Sequence, residues 1–182
     1  MLLPEFDPVT GLLPPGRYTA DLDTLHDRLV SAPGFTASAT RAPIWAEWEL
    51  HRAAVEAEAG EITRLWLGGS FVSGKLDPAD VDVTYLLRAA AFDRLQRDEL
   101  RSLDDLTDRT WCVERGMRVD AYLLRLPEDL SFGDLAPRRL TDATDRSFRD
   151  LGLYDEIWQR CRPAAQASAP RPSRRGYVEV LV

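Results

Sequence analysis

Cysteine and histidine, which supply many catalytic and metal sites, are scarce in this chain. Its 182 residues include two cysteines, Cys112 and Cys161, and two histidines, His26 and His51, all far apart. These spacings exclude a disulfide framework and a zinc site built from neighbouring residues, and so few cysteines fit a reducing cytosol. Candidate chemistry must therefore come from other side chains.

Long apolar runs and excess positive charge are also missing. No apolar stretch approaches the ~18 residues of a membrane span, and residues 1–7 lack the basic and apolar regions of a signal peptide. We therefore expect a cytoplasmic protein with no membrane partner. The formal net charge of −7 disfavours unaided binding of nucleic acid. Arg171, Arg174 and Arg175 could contribute a local basic patch.

The composition and the residue patterns of the chain predict one α+β domain with additional segments at both ends. Hydrophobic residues make up 45% and charged residues 29% of the chain, which is ordinary for a globular domain. Proline and glycine make residues 1–18 an irregular N-terminal arm, and residues 19–162 form the domain. Residues 163–176, rich in Pro, Ala, Ser and Arg, predict a flexible linker. Residues 177–182 predict a C-terminal strand that docks on its own sheet or on that of a second copy, giving a homo-oligomer.

Apolar periodicity predicts the helices and strands of this domain. A short helix ending near Ser31 and a longer helix ending at Gly60 precede the first strand. Further helices are expected over residues 88–103 and within residues 142–162. Strands are expected at four places, namely Ile62–Leu67, Val81–Tyr85, Trp111–Val113 and Met117–Leu126.

A glycine turn follows the first predicted strand. In the segment Leu67-Gly68-Gly69-Ser70, two glycines would let the backbone approach a ligand closely. A helix starting at Ser70 would direct its free N–H groups at an anion, and the Ser70 hydroxyl would add a donor to a phosphate oxygen. By itself this signal is weak, because glycine pairs are common.

Two aspartates follow on the next predicted strand. Asp80 and Asp82 are two residues apart, so their carboxylates share one face while Val81 and Val83 point into the core. Like charges at this separation repel, and aspartate is a poor strand former, which indicates that the pair binds a cation. Mg²⁺ fits because it takes one or two carboxylates plus substrate phosphates. The structural alternative is that Asp80 only caps the turn that begins at Asp77.

A third aspartate repeats the pattern. Asp120 lies in the strand-like run Met117–Leu124, and three carboxylates converge if this strand neighbours that of Asp80 and Asp82. Such an arrangement suits a two-metal site in which Asp120 accepts the proton of the attacking group. The structural alternative is a solvent-facing residue on an edge strand. Hydrolysis of a sugar by carboxylates alone would have no use for the glycine turn.

The glycine-glycine-serine turn, the paired aspartates and the later strand aspartate together resemble the DNA polymerase β-type nucleotidyltransferase superfamily. The segment Gly68–Lys75, the early Leu13–Gly16 and the closing Gly176–Val180 are similar to a bacterial and phage family of small nucleotidyltransferase-like domains. The resemblance implies a minimal nucleotidyltransferase fold, in which a mixed β-sheet is flanked by helices.

The resemblance also implies the chemistry of the site. A nucleoside monophosphate would pass from a nucleoside triphosphate such as ATP to an acceptor, with release of pyrophosphate and with Mg²⁺ or Mn²⁺ as cofactor. Lys75, the single lysine among 23 basic residues, either reaches a β- or γ-phosphate or is a solvated loop residue. The implied metal ligands are Asp80, Asp82 and Asp120, and the implied nucleotide contacts are Gly68, Gly69, Ser70 and Lys75.

Two questions stay open at this point. The acceptor could be a protein, a nucleic-acid end or a small molecule, because only a short segment follows the last predicted strand of the domain and no separate acceptor-binding domain is evident. The function itself has an alternative, in which the domain binds nucleotide and metal without turnover and acts as a partner or regulator of another protein.

Overall fold

Five strands form one mixed sheet in a computed structural model of the chain, which describes residues 3–60, 62–161 and 174–182. The spatial order of the strands is β1-β5-β2-β3-β4. The pairs β1–β5 and β3–β4 are parallel, whereas β2 is antiparallel to both β5 and β3. The strand β4 therefore ends the sheet beside β3. The strands are β1 (Gly16–Ala20), β2 (Arg64–Gly68), β3 (Val81–Arg88), β4 (Val119–Leu126) and β5 (Gly176–Leu181).

Six α-helices accompany the sheet within the described ranges. The longest, α2, buries Ile44, Trp48, His51 and Val55 because these residues recur every three or four positions and share one helix face. It ends, as predicted, at Gly60, whose φ is +80°. The helices are α1 (Leu22–His26), α2 (Arg41–Ala59), α3 (Ala89–Phe92), α4 (Arg97–Thr107), α5 (Arg109–Glu114) and α6 (Asp142–Trp158).

Helices cover both faces of the sheet. On one face, Trp48 of α2 lies in the same buried cluster as Val83 of β3. On the other face, Trp158 of α6 joins a smaller cluster with Trp66 and Tyr177. The predicted α+β class, with a mixed sheet flanked by helices, is confirmed.

Two predictions between β3 and β4 are wrong. The single helix expected over residues 88–103 is divided into α3 and α4, because Gln96 and Glu99 form a capping box that starts a new helix. The strand expected at Trp111–Val113 is part of α5. Its helical form follows from Asp108, whose side chain accepts hydrogen bonds from N–H groups of the first helical turn.

The two ends of the chain meet in the sheet. Strand β1 begins at Gly16, inside the stretch predicted to be irregular. Strand β5 lies between β1 and β2, and Val178 and Val180 are fully buried there, so the C-terminal segment docks on its own sheet. Most of the linker predicted over residues 163–176 lies outside the described residues. In the part of the chain that is described, no helix is long and apolar enough to cross a membrane.

Candidate active site

Three of the predicted site residues lie in one row across the sheet. Gly68 at the end of β2 is the register partner of Asp82 in β3, and Asp82 is the register partner of Asp120 in β4. Since adjacent strands are about 4.8 Å apart, the two aspartates are direct neighbours. Strands β3 and β4 are therefore neighbours, which is the condition for their carboxylates to converge. We call Gly68, Asp82 and Asp120 the carboxylate row.

The row lies on the sheet face that α6 covers. Val81 and Val83 are fully buried in the cluster on the α2 side. Because side chains alternate along a strand, Asp82 points to the opposite face together with Thr84. Asp82 and Asp120 are both half-buried, so the row borders solvent rather than lying inside the core.

The glycine turn contacts the row directly. Gly69 has a φ of +68°, a left-handed conformation that residues with a Cβ atom rarely adopt. A Cβ atom built at this position would overlap Oδ2 of Asp82. The position of the Asp82 carboxylate therefore depends on the absence of a side chain at residue 69.

Asp80 forms an ion pair with an arginine that the sequence did not single out. Nη2 of Arg109, at the start of α5, donates a hydrogen bond to Oδ2 of Asp80 at 2.9 Å. The Asp80 side chain is 23% exposed and that of Arg109 is 56% exposed. This hydrogen bond raises the pKa of Arg109, and the charges of Asp80, Asp120 and Asp82 contribute to the same shift. A guanidinium thus supplies positive charge next to Asp80, and its charge also acts on Asp82 and Asp120.

The segment between the glycine turn and Asp80 is irregular. No helix starts at Ser70, so that expectation is wrong: residues 69–80 form turns and bends with one isolated bridge, between Ser73 and Leu12. The left-handed φ at Gly69 redirects the chain at this point. A phosphate at this turn would therefore be bound by turn N–H groups and side chains, without the amide array of a helix N-terminus.

A buried arginine, Arg41, holds this irregular segment in place. Its guanidinium donates hydrogen bonds to the carbonyl oxygens of Phe71, Ser73 and Lys75 at 2.8, 2.6 and 2.7 Å, respectively. Burial lowers the pKa of Arg41 to about 10, although the charge of Asp77 opposes the shift. Arg41 therefore anchors the connection between the glycine turn and Asp80 to the start of α2.

Trp158 of α6 covers the glycine end of the row. Its indole N–H donates a hydrogen bond to Oγ1 of Thr84 at 2.9 Å, and a Cβ atom at Gly68 would lie 2.5 Å from its ring. The rings of Trp158 and Tyr122 are 6.2 Å apart, and those of Tyr122 and Tyr154 are 5.4 Å apart. These three aromatic side chains border the carboxylate row on the α6 side.

The remaining predicted nucleotide contacts, Ser70 and Lys75, lie on the irregular segment. Ser70 directly follows Gly69, and its carbonyl oxygen accepts a hydrogen bond from the hydroxyl of Ser73 at 2.6 Å. Lys75 is exposed, and its carbonyl oxygen is the acceptor for Arg41. Ser70 is therefore next to the row, whereas Lys75 lies farther along the chain, and a phosphate contact by either stays a prediction.

The carboxylates are not arranged as a closed metal site. Among the residues that the structure describes, no group of three or more His, Cys, Asp or Glu side chains could hold a metal ion. Asp80 is engaged by Arg109. Asp82 and Asp120 nevertheless fit Mg²⁺ or Mn²⁺, because hard cations take one or two carboxylates together with substrate phosphates. The donor set thus suits a cation that arrives with a nucleotide.

Sequence patterns missed part of this site. The Arg109–Asp80 pair spans 29 residues, so no local pattern signals it. Arg41 carries a usable signal, because it precedes Ile44 by three residues and shares the buried spacing of α2. The expected basic patch is weakened at Arg174, which is paired with Glu156 at 2.9 Å.

The third member of that expected patch, Arg171, lies outside the described residues. Arg175 is directed back to the chain, since its Nε donates a hydrogen bond to the carbonyl oxygen of Trp158 at 3.3 Å. Arg174 and Arg175 are therefore both engaged by other groups of the chain, and the basic patch stays a prediction.

The comparisons with known proteins yield one match. A family model described as a family of unknown function, DUF6932, matches residues 4–181, which include every residue of the carboxylate row. No curated protein and no solved structure matches the chain significantly. The match extends from the N-terminal arm to the end of β5, so it covers the whole sheet.

Proposed function

The chain belongs to the DUF6932 family of unknown function, and we propose that it is a metal-dependent nucleotidyltransferase. It would transfer a nucleoside monophosphate from a nucleoside triphosphate to an acceptor and release pyrophosphate by a two-metal mechanism. The fold would be a minimal nucleotidyltransferase domain of the DNA polymerase β type. The observation that carries the proposal is the register that aligns Gly68, Asp82 and Asp120 across three adjacent strands.

The glycine turn is the proposed phosphate site. Trp158 and Asp82 fill the space beside Gly68 and Gly69, so the glycines themselves make no room for a ligand. Phosphate contacts would instead come from the Ser70 hydroxyl, from the N–H groups of the turn, and from cationic side chains. Lys75 and Arg109 are two exposed cations of this region, and the planar guanidinium of Arg109 suits two parallel hydrogen bonds to a phosphate.

Asp120 is the proposed proton acceptor, because it lies at the end of the row away from the glycine turn. The acceptor oxygen attacks the α-phosphorus while the bond from that phosphorus to the bridging oxygen breaks. Pyrophosphate leaves with the electron pair of that bond, and the proton of the acceptor hydroxyl passes to the Asp120 carboxylate. Alignment of these groups, rather than covalent chemistry by the protein, supplies most of the rate in phosphoryl transfer.

Asp80, Asp82 and Asp120 are the residues that would hold the cations. Bound Mg²⁺ or Mn²⁺ would offset the charge of the carboxylates and phosphates and polarise the attacking and leaving oxygens. Asp80 contributes to such a site only after Arg109 releases it. We therefore propose that Arg109 moves from Asp80 to the triphosphate when the nucleotide binds.

A second candidate function is a module that binds nucleotide and metal without turnover and regulates a partner. The ion pair between Arg109 and Asp80 favours this module, because the pair would persist if the Asp80 carboxylate never took part in catalysis. The two candidate functions differ in whether the nucleoside monophosphate is ever transferred to an acceptor.

Label transfer tests the proposal. The chain is incubated with Mg²⁺, cell lysate as acceptor, and ATP, GTP, CTP or UTP labelled at the α-phosphate. We expect transfer from at least one nucleotide, and a loss of about a hundredfold or more in Asp82→Asn and in Asp120→Asn. Asp105→Asn, which removes a carboxylate from an exposed position of α4, is the matched control and should retain transfer.

Two outcomes would contradict the enzyme proposal. One is label transfer that persists in Asp82→Asn, since this would place the chemistry elsewhere. The other is tight nucleotide binding by the chain with no transfer to any component of the lysate, and this result would favour the regulatory module.

A further inference from the structure

We propose that the acceptor is a small organic cation, an amine that also carries a hydroxyl group, bound in a cleft beside Asp120. Its ammonium group would face Asp104, and its hydroxyl would lie at Asp120. This inference rests on the proposed function and names the acceptor class that the reaction leaves open. Its physical basis is a cleft that begins at the β4 end of the carboxylate row.

The cleft lies between four elements of the fold. It has a volume of about 370 Å³ and is lined by residues of α3, α4, β4 and α6. Ligand pockets for small molecules have volumes of about 300–1,000 Å³, so this cleft is large enough for one small molecule. Because helices and a strand form its walls, it offers a more fixed site than a loop would.

One face of α4 forms a wall of the cleft. The α4 residues that line it have the spacing of a single helix face, namely Leu100, Leu103, Asp104 and Thr107. Asp105, the residue after Asp104, is exposed and does not line the cleft. The two neighbouring aspartates thus carry the same charge but differ in whether they face the cleft.

The charge of the cleft selects among acceptor classes. Among the described residues, its charged lining groups are Asp104 of α4 and Asp120 of β4, which are both acidic. The Asp104 carboxylate has no cationic partner in the described part of the chain, in contrast to that of Asp80. Because the whole chain also has a net charge of −7, this field attracts a cation and repels a nucleic-acid strand. Charge complementarity therefore favours a cationic acceptor.

Apolar and aromatic side chains add a second criterion. Phe92 of α3 and Tyr154 of α6 contribute aromatic rings to the lining of the cleft, and Leu100 of α4 is 41% exposed there. The CH₂ groups of an amine gain from burial against such side chains, and an ammonium group is attracted to the face of an aromatic ring. These walls therefore favour an organic cation over a hydrated inorganic cation.

The order of the elements places the two substrates at opposite ends of the carboxylate row. The glycine turn lies at the β2 end of the row, and the cleft lies at its β4 end. The hydroxyl of the bound amine would attack the α-phosphorus, and the bond from that phosphorus to the bridging oxygen would break. Pyrophosphate would leave with the electron pair of that bond, and Asp120 would take the hydroxyl proton. The product is a phosphodiester that joins the nucleoside to the amine.

Binding of amines, measured without any transfer reaction, tests the inference. The probes are amino alcohols, hydroxylated diamines and phenolic amines, each compared with its N-acetyl derivative, which lacks the positive charge. In ligand-observed NMR, we expect the full chain to bind at least one of these amines, and to bind its N-acetyl derivative about tenfold more weakly. Asp104→Asn should weaken binding of the amine about tenfold, because the charged hydrogen-bond acceptor is lost. Asp105→Asn is the matched control, since it removes the same charge from a position outside the cleft.

Three results would overturn the inference. One is that the wild-type chain binds no amine of the panel more tightly than Asp104→Asn does, which includes the absence of any binding. Another is equal binding of the amines and their N-acetyl derivatives, since charge would then play no part. The third is that Asp104→Asn weakens binding of an ATP analogue and leaves that of the amines unchanged, which would place the nucleotide base in the cleft. Because these readouts need no turnover, label transfer to another acceptor can succeed while amine binding fails, and the reverse.

Discussion

Replacing Gly69 with alanine perturbs the contact between the glycine turn and the carboxylate row. The new Cβ atom meets two obstacles, the left-handed φ of +68° and the carboxylate of Asp82. A left-handed conformation costs a residue with a side chain about 1–2 kcal/mol. Inserting a methyl group into an occupied space typically adds about 1–3 kcal/mol. We therefore expect Gly69→Ala to lower the free energy of unfolding by about 2–5 kcal/mol.

A second glycine separates the cost of the left-handed backbone from the cost of the overlap with Asp82. Gly116 has a φ of +76°, but an added Cβ atom would meet nothing within 4 Å. Gly116→Ala should therefore show only the backbone cost of about 1–2 kcal/mol. For a chain of this size, each 1 kcal/mol lowers the melting temperature by about 2–4 °C.

The assay is urea denaturation of both variants, combined with Asp82→Ala in a double-mutant cycle. The Cβ atom of Asp82 would lie 3.2 Å from the new methyl group, so truncating the carboxylate removes most of the overlap. We expect a coupling energy of about 1–3 kcal/mol between the two positions. Equal destabilisation by Gly69→Ala and Gly116→Ala, with no coupling to Asp82, would refute the close contact between residue 69 and the Asp82 carboxylate.

Three further predictions concern Arg41, Arg109 and His51. Arg41→Met should destabilise the chain by at least about 3 kcal/mol in urea denaturation, because it leaves buried carbonyl oxygens without their donor; a neutral effect would contradict its anchoring role. Arg109→Gln should tighten Mn²⁺ binding about two- to fivefold by calorimetry, since an exposed ion pair with Asp80 no longer competes; weaker or unchanged binding would argue against that competition. Burial lowers the pKa of His51 below 6.5, so its contribution to stability is present above pH 6.5 and is lost as the pH falls, when the unfolded chain takes up the proton. The urea midpoint should therefore drop more between about pH 7.5 and about pH 5.5 in the wild type than in His51→Gln, and equal drops would exclude His51 as the cause.

Local patterns predicted the parts of the fold that depend on local forces. The alternation of Val81 and Val83 with Asp82 determines which side chains of β3 enter the main core cluster on the α2 side, and the structure follows it. The end of α2 at Gly60 follows from a left-handed glycine. These features require only neighbours in sequence, so the sequence was sufficient for them.

Contacts between residues far apart in sequence could not be predicted from such local patterns. The neighbour relation of Asp82 and Asp120 depends on which strands pair, and that choice is made by the packing of the whole sheet. The apolar run Trp111–Val113 was misread because an N-terminal cap at Asp108 outweighs its strand propensity. Arg109 was missed because its partner, Asp80, lies on a distant segment.

The most direct measurement of the central claim is a crystal structure of the chain with Mg²⁺ and an ATP analogue that resists cleavage next to its α-phosphorus. We expect the triphosphate at Ser70, a cation between Asp82 and Asp120, and Arg109 detached from Asp80. Nucleotide bound elsewhere on the chain, or an intact Arg109–Asp80 pair with no cation at Asp82 and Asp120, would contradict the proposed nucleotidyltransferase site.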